Sequence, residues 1–275
     1  ALDLARTVGI STLVSITDDI GTDESDALNY LSHDKETKAV CVYIKKVRDG
    51  RKLVKSIKEA IVEKPVIILN GGVERPRIFE AVVRQAGAIL AHDAQDMLNG
   101  ASGLVRQPPL RGSRVAIVTN LSGQAALFER YLFEENLSLA RPAEEIVQKI
   151  KKKYPNSEIS SFINLGPAAK AETYKNVMEM LLSDENVDGL IIVNSLKSTL
   201  FDLEDLREIA SVAKKSGEKP VIATVLCAED NQAVREIMSN TNLPIYDQLE
   251  EAAHVLKKLR IRGRQLEKLS KVESS

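Results

Sequence analysis

The sequence predicts an α/β protein of two tandem three-layer domains, each with a parallel sheet covered by helices on both faces. Short runs rich in Val and Ile alternate with segments whose apolar residues recur at helical spacing, a pattern typical of parallel sheets with crossover helices. The strand runs are continuously apolar, which indicates burial on both faces. A length of 275 residues, against about 150 per domain, favours two domains.

The first half alternates strands and helices from its first apolar run onward. Pro65 precedes the second strand, and Val82 and Val83 lie on the face of the second helix. We predict the strands Ala39–Ile44, Val66–Leu69 and Ala88–Leu90, with helices over Arg51–Glu63 and Ile78–Ala86.

The same scheme restarts after the loop Gln107–Gly112, which contains two prolines and marks the domain boundary at Pro108–Gly112. We predict the strands Arg114–Thr119, Leu190–Val193 and Val221–Val225. The predicted helices are Gln124–Glu135, Ala143–Lys153, Tyr174–Leu181 and Asp202–Ser216.

The two halves resemble each other. Asp34-Lys-Glu-Thr-Lys-Ala-Val-Cys-Val-Tyr43 precedes a helix and then Glu63-Lys-Pro-Val-Ile-Ile68. Asp184-Glu-Asn-Val-Asp-Gly-Leu-Ile-Ile-Val193 likewise precedes a helix and then Glu218-Lys-Pro-Val-Ile-Ala223. A duplicated flavodoxin-like unit explains this order. We therefore predict domains at 1–107 and 111–262, followed by a basic C-terminal tail at 263–275.

Composition excludes several functional classes. With 38 Lys and Arg against 39 Asp and Glu, nothing in the overall charge attracts the chain to nucleic acid or an anionic membrane. The two cysteines, Cys41 and Cys227, are too few for a disulfide scaffold or a Cys-based metal cluster and suit a reducing cytoplasm. No apolar stretch approaches the roughly 20 residues of a membrane span. The chain starts at Ala1 inside a predicted helix, which is typical of a fragment.

Three loops at the carboxyl ends of strands are candidate ligand sites, since open parallel sheets bind ligands there. They are Asn70-Gly71-Gly72, Asn120-Leu121-Ser122-Gly123 and Ser15–Asp19. Their glycines and small polar residues expose backbone N–H groups to a phosphate or carboxylate, although the same residues also serve as turn formers and N-caps. We predict an anion site at Asn70, Gly71, Gly72, Asn120, Ser122 and Gly123, where a helix N-terminus from each domain points to a shared cleft, with Arg75 or Arg77 as countercharge.

Other chemistry finds less support. The pair Asp18-Asp19 suggests a phosphorylatable receiver domain, which needs a further aspartate where this chain has Lys45-Lys46. His33 is expected in a polar loop, His92 after a short strand and His254 on a helix, without metal-ligand spacing. We predict no metal site. The basic stretch 257–271 lacks interleaved aromatics for base stacking and is interpreted as a solvated helix end.

The chain also resembles a known family. Gly112-Ser-Arg-Val-Ala-Ile-Val-Thr-Asn120 with the turn after it is similar to the opening of the second ligase domain of NDP-forming acyl-CoA synthetases, relatives of succinyl-CoA synthetase. The match continues through Asp184–Ile192, Gly217–Ala223 and Leu243–Ala253. In the first half it runs through Gly9–Ser15, Asp23–Leu31, Lys64–Leu69 and Ala81–Gly87. The resemblance implies two succinyl-CoA-synthetase-type ligase domains.

Family chemistry passes a phosphoryl group through a histidine in a Ser-His-Thr-Gly segment, because neutral imidazole is nucleophilic near pH 7. The resemblance places that segment between the strand Val66–Leu69 and the helix from Arg77. Here Asn70-Gly-Gly-Val-Glu-Arg-Pro-Arg77 runs straight across, with no histidine. Turns around the family site also differ, at Ser15–Asp18, Leu121–Gln124 and Asn164–Pro167.

These departures predict a ligase module with no catalytic residue of its own, a pseudoenzyme acting in subunit assembly. The resemblance implies an ATP-grasp-type partner and a CoA-binding Rossmann domain, which would supply CoA and ATP or ADP with Mg, and leaves a homo-oligomer open. This segment itself is expected to bind no cofactor. Two alternatives remain: an active acyl-CoA:ADP ligase subunit using a histidine from another chain, and a stand-alone module binding a small anion or acyl-CoA.

Overall fold

The computed structural model describes residues 9–16, 21–196, 200–215, 217–226 and 231–273. The described chain divides into two compact units. Unit 1 comprises the described residues up to 105 and from 264, and unit 2 comprises residues 106–263. The predicted α/β class with parallel sheets is confirmed. The division between the units falls just before the Pro108–Gly112 stretch.

Unit 1 is built on a three-stranded parallel sheet in the order β1-β2-β3. Val40 of the first strand pairs with Val66, and Ile67 pairs with Ile89. The elements are α1 (Glu24–His33), β1 (Val40–Ile44), α2 (Gly50–Glu63), β2 (Val66–Asn70), α3 (Pro76–Ala86), β3 (Ile89–Ala91) and α4 (Ala94–Arg106).

Local sequence signals explain the helices of unit 1. Helix α2 begins after Asp49, whose side chain accepts hydrogen bonds from the N–H groups of Arg51 and Lys52. Helix α3 ends at Gly87, which has a φ of 104° and donates its N–H to carbonyls of the last turn. The backbone conformation therefore favours glycine, and a Cβ there would also displace the terminal methyl of Ile61.

Unit 2 contains a larger sheet in the order β10-β9-β8-β4-β7-β6, with β5 paired to β4. Every pair is parallel except β6–β7, which is antiparallel. The strands are β4 (Arg114–Thr119), β5 (Ser138–Leu139), β6 (Glu158–Ile159), β7 (Ile163–Asn164), β8 (Gly189–Ser195), β9 (Val221–Leu226) and β10 (Ile245–Tyr246). The helices are α5 (Ser122–Glu134), α6 (Glu144–Lys153), α7 (Ala171–Leu182), α8 (Leu203–Lys215), α9 (Asn231–Asn240) and α10 (Leu249–Glu273).

The central strands of unit 2 are covered on both faces. Every residue of β8 is buried, as the continuous apolar run predicts. Its partners β4 and β9 align with it so that Val193 lies between Thr119 and Thr224. The carboxyl ends of these three strands therefore lie side by side at one edge of the sheet.

Helix α10 contains residues 263–273, which the sequence analysis assigned to a basic tail. They continue the helix that begins at Leu249. The long helix has charged residues throughout, and none of the described helices is both long enough and apolar enough to cross a bilayer.

The structure differs from the sequence-based expectations at several places. Strand β1 is covered on one face only, because Cys41 and Tyr43 are exposed while Val40 and Ile44 are buried. Helix α1 was not predicted, and it places His33 at its last position, so the prediction of a polar loop for that histidine is wrong. Three strands of unit 2 were also not predicted, namely β5, β6 and β7. Each is only two residues long, which is too short to give a periodic signal in the sequence.

Candidate functional site

The loop after β2 contains the predicted site residues Asn70, Gly71 and Gly72, and its backbone donors are already paired. The Asn70 side-chain oxygen accepts from the N–H groups of Gly72 and Val73, at 3.0 and 2.9 Å. The Gly71 N–H donates to the carbonyl of Ile44 at 2.7 Å. The loop is an Asx turn closed by its own asparagine, which leaves these amides without a free hydrogen for an anion.

The rest of this connection is short and strained. Five residues, 71–75, link β2 to α3. Arg75 is the N-cap of α3 and has a φ of 54°, in the left-handed region that costs an ordinary side chain roughly 1–2 kcal/mol. Its side chain makes no capping bond, and both Arg75 and Arg77 are exposed. The chain crosses directly from strand to helix at the place where the resemblance expects an inserted histidine segment.

In the second predicted loop, which follows β4, the side chain of Asn120 bonds the loop to β8. The Asn120 side chain accepts from the Ser195 N–H at 3.1 Å and donates to the Ser195 carbonyl at 3.3 Å. Thr119 Oγ1 donates to the Val193 carbonyl at 2.7 Å and accepts from the Leu121 N–H at 2.8 Å. Asn120 is buried, so its contribution is to hold the loop in place.

In the described part of the chain, no side chain caps the N-terminus of α5. The helix begins at Ser122, two residues before the predicted start, so that Ser122 and Gly123 form its first turn. Its N-cap is Leu121, which offers no side-chain acceptor, and no acidic residue lies in the first turn. Ser122 and Gly123 are exposed, and a Cβ at Gly123 would meet nothing within 4 Å. Uncapped N–H groups at a helix start favour an anion.

The end of β8 carries a buried polar pair that the sequence analysis missed. The Tyr174 hydroxyl of α7 donates to Asn194 Oδ1 at 2.8 Å, and both residues have an exposed fraction of 0%. Asn194 Nδ2 has no partner among the described residues. Burial raises the pKa of Tyr174, so the hydroxyl keeps its proton and remains a donor. The signal in the sequence was an Asn-Ser pair ending an otherwise apolar strand.

Each histidine has a described neighbour in its own unit. The Nδ1 atom of His33 lies 2.8 Å from the Asn29 carbonyl in α1. His92 follows β3, and its backbone N–H donates to Asp96 Oδ2 at 2.9 Å. In unit 2, His254 Nε2 lies 3.3 Å from Glu135 Oε1. The acid pair Asp18-Asp19 lies outside the described residues.

Comparisons with known proteins bear on this arrangement. A family model described as the succinyl-CoA ligase like flavodoxin domain matches residues 1–104. The alpha subunit of acetate–CoA ligase [ADP-forming] II from Pyrococcus furiosus is 26% identical over 267 residues, covering 90% of this chain and 58% of that subunit. The alpha subunit of isoenzyme I from the same organism is 23% identical, covering 92% and 58%.

The chain is similar to NDP-forming acyl-CoA synthetases over most of its length, and the family model matches its first 104 residues. It spans about 58% of the length of these curated alpha subunits.

Solved structures of similar proteins show the same fold. A Pyrococcus horikoshii protein of known crystal structure is 28% identical, with a TM-score of 0.82 over 89% of this chain and 57% of its own. The dinucleotide-forming acetyl-coenzyme A synthetase 1 of Ca. Korarchaeum cryptofilum shares the fold, with a TM-score of 0.87 at 20% identity, over 98% of this chain and 62% of its own. The family model covers only residues 1–104, and the structural matches extend the shared fold over most of the chain.

Proposed function

We propose that this chain is an alpha-type ligase module of an NDP-forming acyl-CoA synthetase that does not carry the phosphoryl group itself. The observation that supports this proposal is the direct connection of residues 71–75 between β2 and α3, which contains no histidine. The described histidines lie elsewhere, at the end of α1, after β3 and within α10. None of them follows β2.

The module would act by assembly. The curated relatives are alpha subunits, a name that implies further subunits in those enzymes. We propose that an ATP-grasp-type subunit and a CoA-binding Rossmann domain complete the enzyme and hold CoA and ATP or ADP with Mg. The Korarchaeum synthetase has been solved with phosphate and ADP, which is consistent with nucleotide and phosphate use by such assemblies.

The N-terminus of α5 is the best-supported part of the proposed anion site. Its Ser122 and Gly123 N–H groups are exposed and uncapped, and Asn120 anchors the preceding loop to β8. A helix end of this kind favours negative charge by roughly 0.3–1 kcal/mol. The loop Asn70–Gly72 remains in the proposal with less support, because its amides are paired internally.

The retained donors at α5 favour one second candidate. An active acyl-CoA:ADP ligase subunit could receive a phosphohistidine from another chain, and Ser122 and Gly123 would then stabilise its phosphate. This candidate has the same fold and the same anion contacts as the non-catalytic module. It differs only in that this chain takes part in phosphoryl transfer.

Labelled phosphate distinguishes the two. The chain is incubated with the purified ATP-grasp subunit encoded nearest to it, with γ-labelled ATP and Mg, and both chains are examined for acid-labile phosphate. We expect a stable complex on gel filtration and no label on this chain. Acid-labile label on His33, His92 or His254 would overturn the non-catalytic proposal. Acid-labile label on the partner subunit that is discharged faster when this chain is added supports the second candidate instead.

A further inference from the structure

A shallow cavity of about 700 Å³ in unit 1, largely open to solvent, is used by none of the functions proposed above. It lies where the β1–α2 loop leads into α2, and Val82 of α3 borders it. Its lining consists of Arg48, Asp49, Gly50, Arg51, Val54 and Val82. The volume is in the range of about 300–1,000 Å³ found for small organic ligands. The cavity also lies at the carboxyl end of a parallel strand, where open α/β sheets bind ligands.

The α3 side of the cavity is apolar and exposed. Val82 lines it with 40% of its surface exposed, and Ile78, one turn earlier on the same helix, is 59% exposed. Residues four apart share a helix face, so these two side chains form a continuous apolar strip. The adjoining side of α3 buries Phe79 and Val83 in the core. A ligand with an apolar body would remove this strip from water.

The α2 side of the cavity carries positive charge. Two basic neighbours on α2 have acidic partners: Lys52 bonds Asp23 and Asp26 at 2.9 and 2.7 Å, and Lys55 lies 3.8 Å from Glu59. The guanidinium of Arg51 has no ion pair or hydrogen bond in the described part of the chain.

The two other charged residues of the lining have partners of their own. Arg48 has a further interaction besides its backbone N–H, which donates to Glu24 Oε1 at 3.2 Å. The carboxylate of Asp49 also lines the cavity, and its Oδ1 accepts the N–H groups of Arg51 and Lys52. Arg51 is therefore the charged group of the lining that has no partner in the described part of the chain.

We propose that this cavity binds a small organic anion, a carboxylate or phosphate ester with an apolar body of several carbons. Arg51 contacts the oxyanion, because a guanidinium matches two oxygens of a carboxylate or phosphate at once. The apolar body lies against Val54 and Val82. This site is separate from the anion site proposed at α5, which belongs to unit 2, so either can fail without the other.

Calorimetric titration of the full chain tests the proposal, with hexanoate, hexyl phosphate, inorganic phosphate and hexanol as probes. We expect saturable binding of at least one hexyl anion, weakened about tenfold by Arg51→Gln, since the variant loses a charge-assisted hydrogen bond. Val82→Ser should weaken it severalfold. Arg84→Gln, on the same helix but outside the cavity, is the matched control and should bind like the wild type.

The two hexyl probes separate the possible headgroups, since tighter binding identifies carboxylate or phosphate ester. Inorganic phosphate and hexanol should each bind much more weakly than the hexyl anions, because phosphate lacks the apolar body and hexanol lacks the anionic group. Absence of saturable binding up to about 10 mM, a range that corresponds to affinities too weak to matter, overturns the proposal. Equal affinities for Arg51→Gln, Arg84→Gln and the wild type overturn it as well.

Discussion

Arg114 and Asp188 form a two-point ion pair that joins the first residue of β4 to the residue before β8. Arg114 Nε lies 2.9 Å from Asp188 Oδ2, and Nη2 lies 2.7 Å from Oδ1. The Arg114 backbone N–H also donates to Oδ2 at 2.8 Å. The pair stands at the amino ends of the central strands, opposite the edge where Ser122 and Asn194 lie. Stability and candidate chemistry are thus placed at different edges of unit 2.

Asp188→Asn should destabilise unit 2. Asparagine offers only one oxygen and no charge to the Arg114 guanidinium, and the Asp188 side chain is only 15% exposed. Charge-assisted hydrogen bonds of this kind contribute on the order of 1.5–3 kcal/mol. We expect urea unfolding to show a loss in that range. The exposed pair Arg130–Glu134 is the control, and Glu134→Gln should change stability by less than about 0.5 kcal/mol. Equal effects of the two variants would contradict this reasoning.

The same pair predicts a pH dependence. Burial raises the pKa of Asp188, but hydrogen bonds from the Arg114 side chain and backbone outweigh it and hold that pKa below its usual value of 3.8. A carboxyl with a lower pKa in the folded state contributes stability above its unfolded pKa and loses it as pH falls. The stability gap between wild type and Asp188→Asn should therefore be constant from about pH 5 to 7 and shrink below about pH 4. A gap that widens in acid would refute the assigned role.

Gly112→Ala should disturb the Arg114–Asp188 ion pair by displacing the Asp188 carboxylate. A Cβ at Gly112 would overlap the Asp188 carboxylate, which its two bonds to Arg114 hold in place. We expect a loss of about 1–3 kcal/mol in thermal or urea unfolding, as for other overpacked sites. Gly123→Ala, where the added carbon meets open space, should instead be neutral or stabilising by up to about 1 kcal/mol.

Tyr174→Phe should leave the Asn194 carboxamide without its described partner. Both residues are fully buried, so the unmatched amide would cost about 1–3 kcal/mol. The aromatic contact with Phe201, at 5.0 Å between ring centres, is retained in the variant. Tyr30→Phe, at a position 68% exposed, is the control and should stay within about 0.5 kcal/mol of wild type. A neutral Tyr174→Phe would mean that water or another group satisfies Asn194.

Much of the fold follows from the sequence because buried parallel strands are long apolar runs. The runs at Val66–Leu69 and Leu190–Val193 each lie within an observed strand, and their helices begin within a few residues of the predicted starts. Helix α1 gave little periodic signal, since it buries only Leu28 and two serines. Its start is instead fixed by the Asp23 capping box.

The candidate site was less predictable, because its free hydrogen-bond donors depend on which partners the loop side chains bond. Asn70 and Asn120 both follow a strand and precede small residues, yet they act differently. The Asn70 oxygen folds back onto its own loop, whereas the Asn120 amide reaches across to Ser195 on β8. Composition allows both outcomes. Only the neighbouring strand decides which donors remain free.

Ser122→Pro tests the proposed anion contact at α5 with little change to the fold. Proline is well tolerated at the first helical position, where its φ is already suitable and its missing N–H is not needed by the helix. The preceding Leu121 is extended, with φ −138° and ψ 98°, and so avoids the helical conformation that proline disfavours in its neighbour. The variant therefore removes one proposed donor to phosphate and leaves α5 intact. Ser122→Ala is the matched control, because it removes the hydroxyl and keeps the N–H.

Phosphate titration followed by amide NMR at Gly123 and Gln124 gives the readout. We expect wild type and Ser122→Ala to show saturable shifts at millimolar phosphate that weaken as salt rises, since the attraction is electrostatic. Ser122→Pro should bind about three- to tenfold more weakly, which corresponds to the loss of one hydrogen bond of about 1 kcal/mol. Circular dichroism should report the same helix content in all three proteins. Unchanged affinity in Ser122→Pro would assign the phosphate shifts to another surface, and their absence in the wild type would remove the anion site from the proposed function.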